Sequence, residues 1–309
     1  MASPRTFALT GGTGSIGSRF LADAVSSGYS VRALSRAPSH LPVLGVDWHQ
    51  FDLSKSDELG ADALQDVEQV VHLAAYIPRD HNDPDEGLRC WQANVAGTHR
   101  LIEAMGKAGV KRLIQTGSAN VYAPWLTYPD ETSCIHPQTR VFYLASKAAQ
   151  EYCAESACRK HNIDLVTLRL SSVFGTGGGT VDNIARKLLD GTVVELTNEG
   201  LFGADFVSCD DVLAALFLVL DNDCAGTFNV ASGERSTIAE VAQILVDATG
   251  QTDEILHFMP QEAQGDSGFP AINIAKLRAL GYRPKALRES LSVLVERLSD
   301  IKRDVKGRT

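Results

Sequence analysis

One stretch near the start of the chain, Thr10-Gly11-Gly12-Thr13-Gly14-Ser15-Ile16-Gly17, constrains the fold more than any other. The apolar run Phe7-Ala8-Leu9 before it reads as a buried strand. Residues 18–25 after it carry apolar side chains at helical spacing. Strand, glycine turn and helix form the context in which Gly11-x-x-Gly14-x-x-Gly17 acquires a chemical meaning. Glycine permits a tight turn and lets backbone come close to a pyrophosphate. The free amides at the start of the helix, with the positive end of its dipole, attract phosphate charge. The bland alternative is an ordinary glycine-rich turn, and the flanking strand and helix favour a dinucleotide over it. Gly11, Thr13, Gly14, Ser15, Ile16 and Gly17 are the candidate contacts.

Further strands are read at 29–34, 46–51, 68–73, 112–116 and 164–170, with helical patterns between them, including a long helix over 85–106. That alternation predicts an α/β protein with a Rossmann-type doubly wound parallel sheet. After Gly175 the rhythm changes, and a smaller α/β substrate domain is expected, interleaved at the carboxyl-terminal side. The expected division is a dinucleotide-binding domain over 1–170, with 206–230 returning to it, and a substrate domain over 171–205 and 231–309. A net charge of −9 argues against nucleic acid or an anionic membrane as partner. The most apolar run, 212–220, is about half a membrane span. Six scattered cysteines without a C-x-x-C pair, and no metal-ligand spacing among the histidines, suggest a reducing compartment and no metal site. The expected location is the cytoplasm.

The end of the second strand faces the adenosine ribose in such folds, where an acidic residue suits a free 2′-hydroxyl and arginine a 2′-phosphate. Ser35 and Arg36 stand there, with no Asp or Glu before Asp47, which favours NADP over NAD. Small residues Ala74 and Ala75 end the fourth strand and leave room against the backbone. Tyr143 and Lys147 lie four apart on a predicted helix and share a face. A phenol titrates near 10 in water, and a neighbouring ammonium would favour its ionised form. Such a tyrosine can exchange a proton with a carbinol or carbonyl oxygen. Ser118, at the end of the fifth strand, could hydrogen-bond the same oxygen. A loop over 123–139 containing Trp125 and Tyr128 is expected to cap a pocket, and it holds Cys134 and His136.

With these residues assembled, the chain resembles the extended short-chain dehydrogenase/reductases, the NAD(P)-dependent epimerase/dehydratase group. Thr10-Gly11-x-x-Gly14-x-x-Gly17 matches the group's cofactor loop, and Asp52-Leu53 its adenine-contacting pair. His72-Leu73-Ala74-Ala75 and Asn94-Val95-x-Gly97-Thr98 match two further motifs. Arg169-x-x-Ser172-Val173-Phe174-Gly175, Asp205-Phe206-Val207-x-x-Asp210-Asp211 and Leu280-Gly281-Tyr282-x-Pro284 match later landmarks. The resemblance places Ser118, Tyr143 and Lys147 on the catalytic triad. It adds Leu73, Asn94, Thr116, Leu170 and Val173 to the cofactor contacts, and Tyr76, Ala119, Asn120 and Ser172 to the substrate candidates with Trp125. It also implies a homodimer paired through the helix near Asn94 and the helix of Tyr143, for which Leu144, Ala145, Ala148 and Ala149 are apolar candidates.

Departures from the pattern narrow the reaction. The group's 4,6-dehydratases carry Asp-Glu directly after the catalytic hydroxyl residue, whereas this chain has Ala119-Asn120. A 4,6-dehydratase is therefore not expected. Ser172 and Ala204 stand where nucleotide-sugar enzymes often place Asn and Arg for the diphosphate. The expected activity is interconversion of a secondary alcohol and a ketone on a sugar-like or other carbonyl compound. An epimerase with retained cofactor uses the same residues, and a non-catalytic NADP-binding redox sensor is the reading from another class.

Overall fold

The computed structural model describes residues 6–37, 45–55, 59, 61–80, 83–137, 142–260 and 268–306 of the 309-residue chain. Residues 138–139 of the expected capping loop lie outside them. The chain folds as two units: 1–123 with 133–170 and 216–228, and 124–132 with 171–215 and 229–309.

The first unit begins with β1 (Thr6–Thr10), whose residues after Thr6 are all buried. It is followed by α1 (Ser15–Ser26), β2 (Ser30–Ser35), β3 (Val46–Gln50) and β4 (Gln69–His72). Next come α2 (Pro84–Cys90), α3 (Thr98–Ala108), β5 (Arg112–Ser118), α4 (Phe142–His161) and β6 (Asp164–Leu170). With β10 (Gly226–Val230), the strands make a seven-stranded sheet in the order β10-β6-β5-β4-β1-β2-β3, and the pairings from β3 through β6 are parallel. Crossing back over β1 after β3 puts the reversal of strand order between β1 and β4, where ligands of such sheets bind. Leu101, Ile102 and Met105 of α3 pack with Ala8, Val70 and Leu113 of the sheet and with Ala154 and Cys158 of α4 in one buried core.

The expected long helix over 85–106 is present as a continuous helical stretch over 84–108 that contains a π-helical turn. Asp83 caps α2 by accepting from the Asp85 amide at 2.9 Å, with Pro84 in the first helical position. Between α2 and α3 the chain makes a π-helical turn, Trp91–Gly97, centred on Asn94. At the end of this turn the helix passes close to the loop after β3: a Cβ on Gly97 would stand 2.6 Å from the Leu53 carbonyl oxygen. Arg112, at the start of β5, donates to the Val219, Asn222 and Cys224 carbonyls, placing a cation at the carboxyl end of α6 (Cys209–Asp221).

The second unit contains β7 (Ser172–Phe174), α5 (Thr180–Leu189), β8 (Val194–Leu196), β9 (Gly203–Ser208), β11 (Arg235–Thr237), α7 (Ile238–Thr249), β12 (Leu256–Phe258), α8 (Ala275–Ala279) and α9 (Leu287–Lys306). Three strands pair in the order β11-β9-β7, and β12 pairs with β8. Helices α5, α7 and α9 bury Leu188, Leu245 and Leu291 in a common core with Phe206 of β9. A reciprocal pair of bonds between Thr237 and Glu240 caps α7. Among the described residues, no helix is long and apolar enough to cross a membrane.

Candidate functional site

The glycine turn sits at the carboxyl end of β1. Gly11 has φ +77°, and a Cβ there would lie 2.5 Å from the Ala74 amide nitrogen; a Cβ on Gly17 would lie 2.0 Å from the Gly11 carbonyl oxygen. Both obstacles are backbone, so neither can move aside cheaply. Helix α1 starts at Ser15 behind Gly14, with no side-chain cap and no acidic residue in its first turn. Its leading amides therefore remain for an anion, as a phosphate-binding turn requires. These residues fit a dinucleotide.

Around this turn the structure places the other cofactor candidates. Ser35 ends β2 and its hydroxyl accepts from the Ala37 amide, while Arg36 is exposed beside it. Asp52 accepts from the amide (2.9 Å) and hydroxyl (2.7 Å) of Ser54. Burial works against its charge, but those bonds and the cations Lys55 and Arg36 hold the carboxyl below its usual range. The Leu53 carbonyl accepts from Arg100. The Leu73 amide donates to the Thr10 carbonyl at 3.2 Å, and the Ala74 amide to the Thr10 hydroxyl at 3.2 Å.

That hydroxyl opens a buried network that residue spacing had not suggested. His72 lies between Thr10 Oγ1 (2.6 Å from Nδ1) and Thr98 Oγ1 (2.9 Å from Nε2). Thr98 donates to the Asn94 carbonyl at 2.6 Å, so it must accept from His72 Nε2–H. His72 Nδ1 then accepts from Thr10, which accepts in turn from Ala74; the tautomer follows from the bonds. Burial, reinforced by the charge of Lys147, draws His72 down to about 3, so the ring is neutral. Asn94 spends its side-chain amide on Tyr76, donating to its carbonyl (3.0 Å) and accepting from its nitrogen (2.6 Å), and on Ser146 Oγ (3.0 Å). The Tyr76 hydroxyl donates to Glu86, which also accepts from the Arg79 amide and Arg89.

Of the catalytic candidates, Lys147 reaches the end of β5, the strand that Ser118 closes. The Ser118 hydroxyl accepts from the Asn120 amide at 3.3 Å, leaving its own proton free to be donated elsewhere. Tyr143 occupies the first turn of α4, and Lys147 follows one turn later with 2% of its surface exposed. The Lys147 ammonium donates to the Thr116 carbonyl at 2.7 Å, two residues before Ser118, and to Gln150 Oε1 at 2.6 Å. Burial draws Lys147 down to about 8, opposed by the nearby Glu151 carboxylate. The phenol differs from the expectation of a lowered value: burial, with the Cys90 thiol beside it, pushes Tyr143 up to about 12.

Behind Ser118, Arg169 at the end of β6 is bound by Glu151 at 2.9 Å and donates to the Tyr122 hydroxyl at 2.9 Å, with its guanidinium 5.0 Å from the Tyr122 ring centre. Ala119 is fully buried and Asn120 half-buried in the turn after Ser118. Leu170 ends β6, while Ser172 and Val173 belong to β7 in the second unit, as do the exposed Trp125 and Tyr128. Cys134 is exposed, and the His136 amide donates to the Val121 carbonyl. Of the four apolar candidates for a dimer contact, Leu144 and Ala148 are buried within the first unit, while Ala145 and Ala149 are partly exposed. Among the described residues, no group of three or more His, Cys, Asp or Glu is placed to hold a metal ion.

The comparisons with known proteins agree with this fold. The model of the NAD dependent epimerase/dehydratase family matches residues 7–231. The dTDP-6-deoxy-L-talose 4-dehydrogenase (NAD(P)(+)) of Kitasatospora kifunensis is 29% identical, over 94% of this chain and 95% of its own. The UDP-glucose 4-epimerase of Mycolicibacterium smegmatis is 28% identical, over 93% of this chain and 96% of its own. Among solved structures, DesIV, a dTDP-glucose 4,6-dehydratase from Streptomyces venezuelae with NAD bound, superposes with a TM-score of 0.79 at 25% identity, covering 94% of this chain and 96% of that one. By name, these three relatives catalyse three different reactions.

Proposed function

Because the chain belongs to the NAD dependent epimerase/dehydratase family, we propose that it is an NAD(P)(H)-dependent oxidoreductase that interconverts a secondary alcohol and a ketone on a sugar-like substrate. The observation that carries this is the pairing of partly buried Tyr143 with buried Lys147 one turn apart on α4, with the ammonium fixed to the strand that ends in Ser118. When bound, the nicotinamide takes up hydride from a carbinol carbon or returns it to a carbonyl. The amides at the start of α1 hold the pyrophosphate, and Gly11 and Gly17 keep its approach open. Tyr143 gives its proton to the carbonyl oxygen as the ketone is reduced, and takes it back in the other direction. A phenol held at about 12 is protonated at neutral pH, which suits the donor role. Ser118 donates to the same oxygen and orients it. Lys147, with two N–H groups committed to Thr116 and Gln150, would have its third for the cofactor's ribose and would favour the phenolate once the proton has gone. Tyr143→Phe should fold normally and lose at least about 100-fold in turnover. Full hydride transfer by that variant would rule the assignment out.

The nearest alternative is an epimerase that keeps its cofactor, and the relation to the M. smegmatis epimerase over nearly the whole chain favours it as the second reading. Purified protein that carries stoichiometric NAD(P) and turns over without added cofactor would establish it; a strict need for added NADPH would exclude it. For the cofactor, Ser35 and Arg36 support NADP, and comparing kcat/KM for NADPH and NADH in wild type and Arg36→Asp tests this. Equal ratios in both proteins would remove Arg36 from the selection. Ala119 and Asn120 supply no acid and base for water loss, so we read the chain as other than a 4,6-dehydratase; release of a 4-keto-6-deoxy product from a hexose substrate would overturn that. Ala204 is fully buried, so no cation stands there to meet a diphosphate. A screen over free sugars, sugar nucleotides and simple ketones, followed at the nicotinamide absorbance, selects among the substrates.

A further inference from the structure

Lys147 is buried, yet it carries a charge, and the contacts made to that charge are unusual in how they continue. Gln150 Oε1 accepts from Lys147 Nζ at 2.6 Å. The Gln150 amide nitrogen donates to Gln115 Oε1 at 3.2 Å, and the Gln115 amide nitrogen to Thr167 Oγ1 at 3.0 Å. Gln115 and Thr167 are register partners on β5 and β6, and Gln150 reaches them from α4. None of the three has more than 3% of its surface exposed. An ammonium can only donate, so an oxygen of Gln150 must face it; the orientation of each later amide follows from the one before. Every dipole in the row points its negative end toward Lys147, and in a low-dielectric interior such aligned bonds strengthen one another.

We propose that Gln150 is a positioning residue for Lys147: with Gln115 and Thr167 it forms an oriented amide chain that fixes the ammonium beneath the end of β5 and keeps it protonated inside the protein. A buried cation without partners would discharge instead. Titratable or charged groups facing it, among the described residues, are few. Tyr143 and Glu151 share its helix, His72 faces it from β4, Arg169 on β6 engages Glu151, and Cys90 lies against Tyr143. His72 and Tyr143 are neutral near pH 7, and Glu151 is already shared with Arg169. The Gln150 oxygen and the Thr116 carbonyl are therefore the groups that meet the ammonium directly. Of those two contacts, only Gln150 can be changed by substitution.

The consequence for turnover rests on the proposed role of Lys147, so the primary test is independent of it. The cofactor-free protein is labelled with 15N at the lysine side chains, and Lys147, assigned by its disappearance in Lys147→Met, is titrated by NMR. Gln150→Leu, of similar volume, should titrate at least one pH unit below wild type, and Gln150→Glu at least one unit above. Circular dichroism confirms that each variant is folded, and Gln115→Leu, expected to move the titration down by a smaller amount, serves if Gln150→Leu does not fold. Unchanged titration, or shifts of the same sign in the Leu and Glu variants, would overturn the proposal. The alkaline limb of kcat/KM against pH should move in the same order as the titrations. If Lys147→Met retains full turnover, the functional reading fails while the titration result stands.

Discussion

At His72 a single side chain joins the glycine turn, the end of β4 and the helix that carries Thr98. Its ring is neutral because both nitrogens are already committed, one as acceptor and one as donor. Protonation would need Nδ1 to give up the bond from Thr10 and would place a second cation near Lys147. The folded-state value of about 3 lies below the ordinary 6.5, so the folded protein resists binding that proton and the unfolded chain does not. The contribution to stability is complete above about pH 6.5 and is lost as pH falls toward 3. Between pH 7 and 4.5, wild type should lose about 3 kcal/mol more unfolding free energy than His72→Gln, which has no such titration. Parallel urea melts at the two pH values measure the difference, and equal losses would contradict the network. The histidine was visible in the sequence as a motif member. Its partners were not, because Thr10 and Thr98 meet it only once the sheet and helix have formed.

Among the elements, the glycine turn was the most legible; the helix after β4 was legible in its span but not in the π-helical turn it contains. Three glycines between a strand and a helix carry their meaning in local spacing, and the close backbone approaches at Gly11 and Gly17 are its physical form. Gly17→Ala should therefore weaken dinucleotide binding at least about 10-fold, because the new methyl meets the Gly11 carbonyl and that turn must shift. Titration calorimetry with NADP and NAD gives the comparison, and unchanged affinity for both would show that the turn has slack. The π-helical turn had no such signal. Apolar spacing over 85–106 reads as one helix, since a single wider turn alters the phase by less than one residue and a short window cannot resolve it. Gln115 and Gln150 were equally hidden, being 35 positions apart and ordinary on their own elements.

For the whole molecule, the large parallel sheet was foreseeable from the alternation of strands and helices, since parallel neighbours need crossovers between them. Oligomeric state was not, because of the four apolar residues read as contacts Leu144 and Ala148 are buried in the chain's own packing and only Ala145 and Ala149 are partly exposed. The large apolar side chains exposed on these helical segments, among the described residues, are Leu88, Trp91, Phe142 and Tyr152, with 56%, 48%, 41% and 61% of their surfaces open. We propose that these cover the partner in a homodimer. Large apolar side chains grouped on packed neighbouring helices are characteristic of such faces. Trp91→Glu should then convert a dimer to a monomer in sedimentation at micromolar concentration. A wild-type protein that is already monomeric there would remove the proposal. The net charge of −9 keeps copies apart at long range, so association should strengthen as salt is added.

The π-helical turn Trp91–Gly97 also makes the protein unequally tolerant of two kinds of genetic change. Upstream of it, Asp83 and Pro84 fix where the helix begins; downstream, Leu101, Ile102 and Met105 fix which way α3 faces. The angular offset between these two anchors is set by how many residues the turn contains, and one residue is worth roughly 100° of rotation. A point substitution on the turn's exposed side, at Gln92 for instance, leaves that count intact. Loss of a single codon within 91–97 would relax the segment toward an ordinary helix. It would swing Asn94 off the Tyr76 backbone and Ser146 while leaving composition and hydrophobicity nearly untouched. Deletion scanning across 88–104 should accordingly show one narrow window in which length, rather than residue identity, decides whether the site assembles.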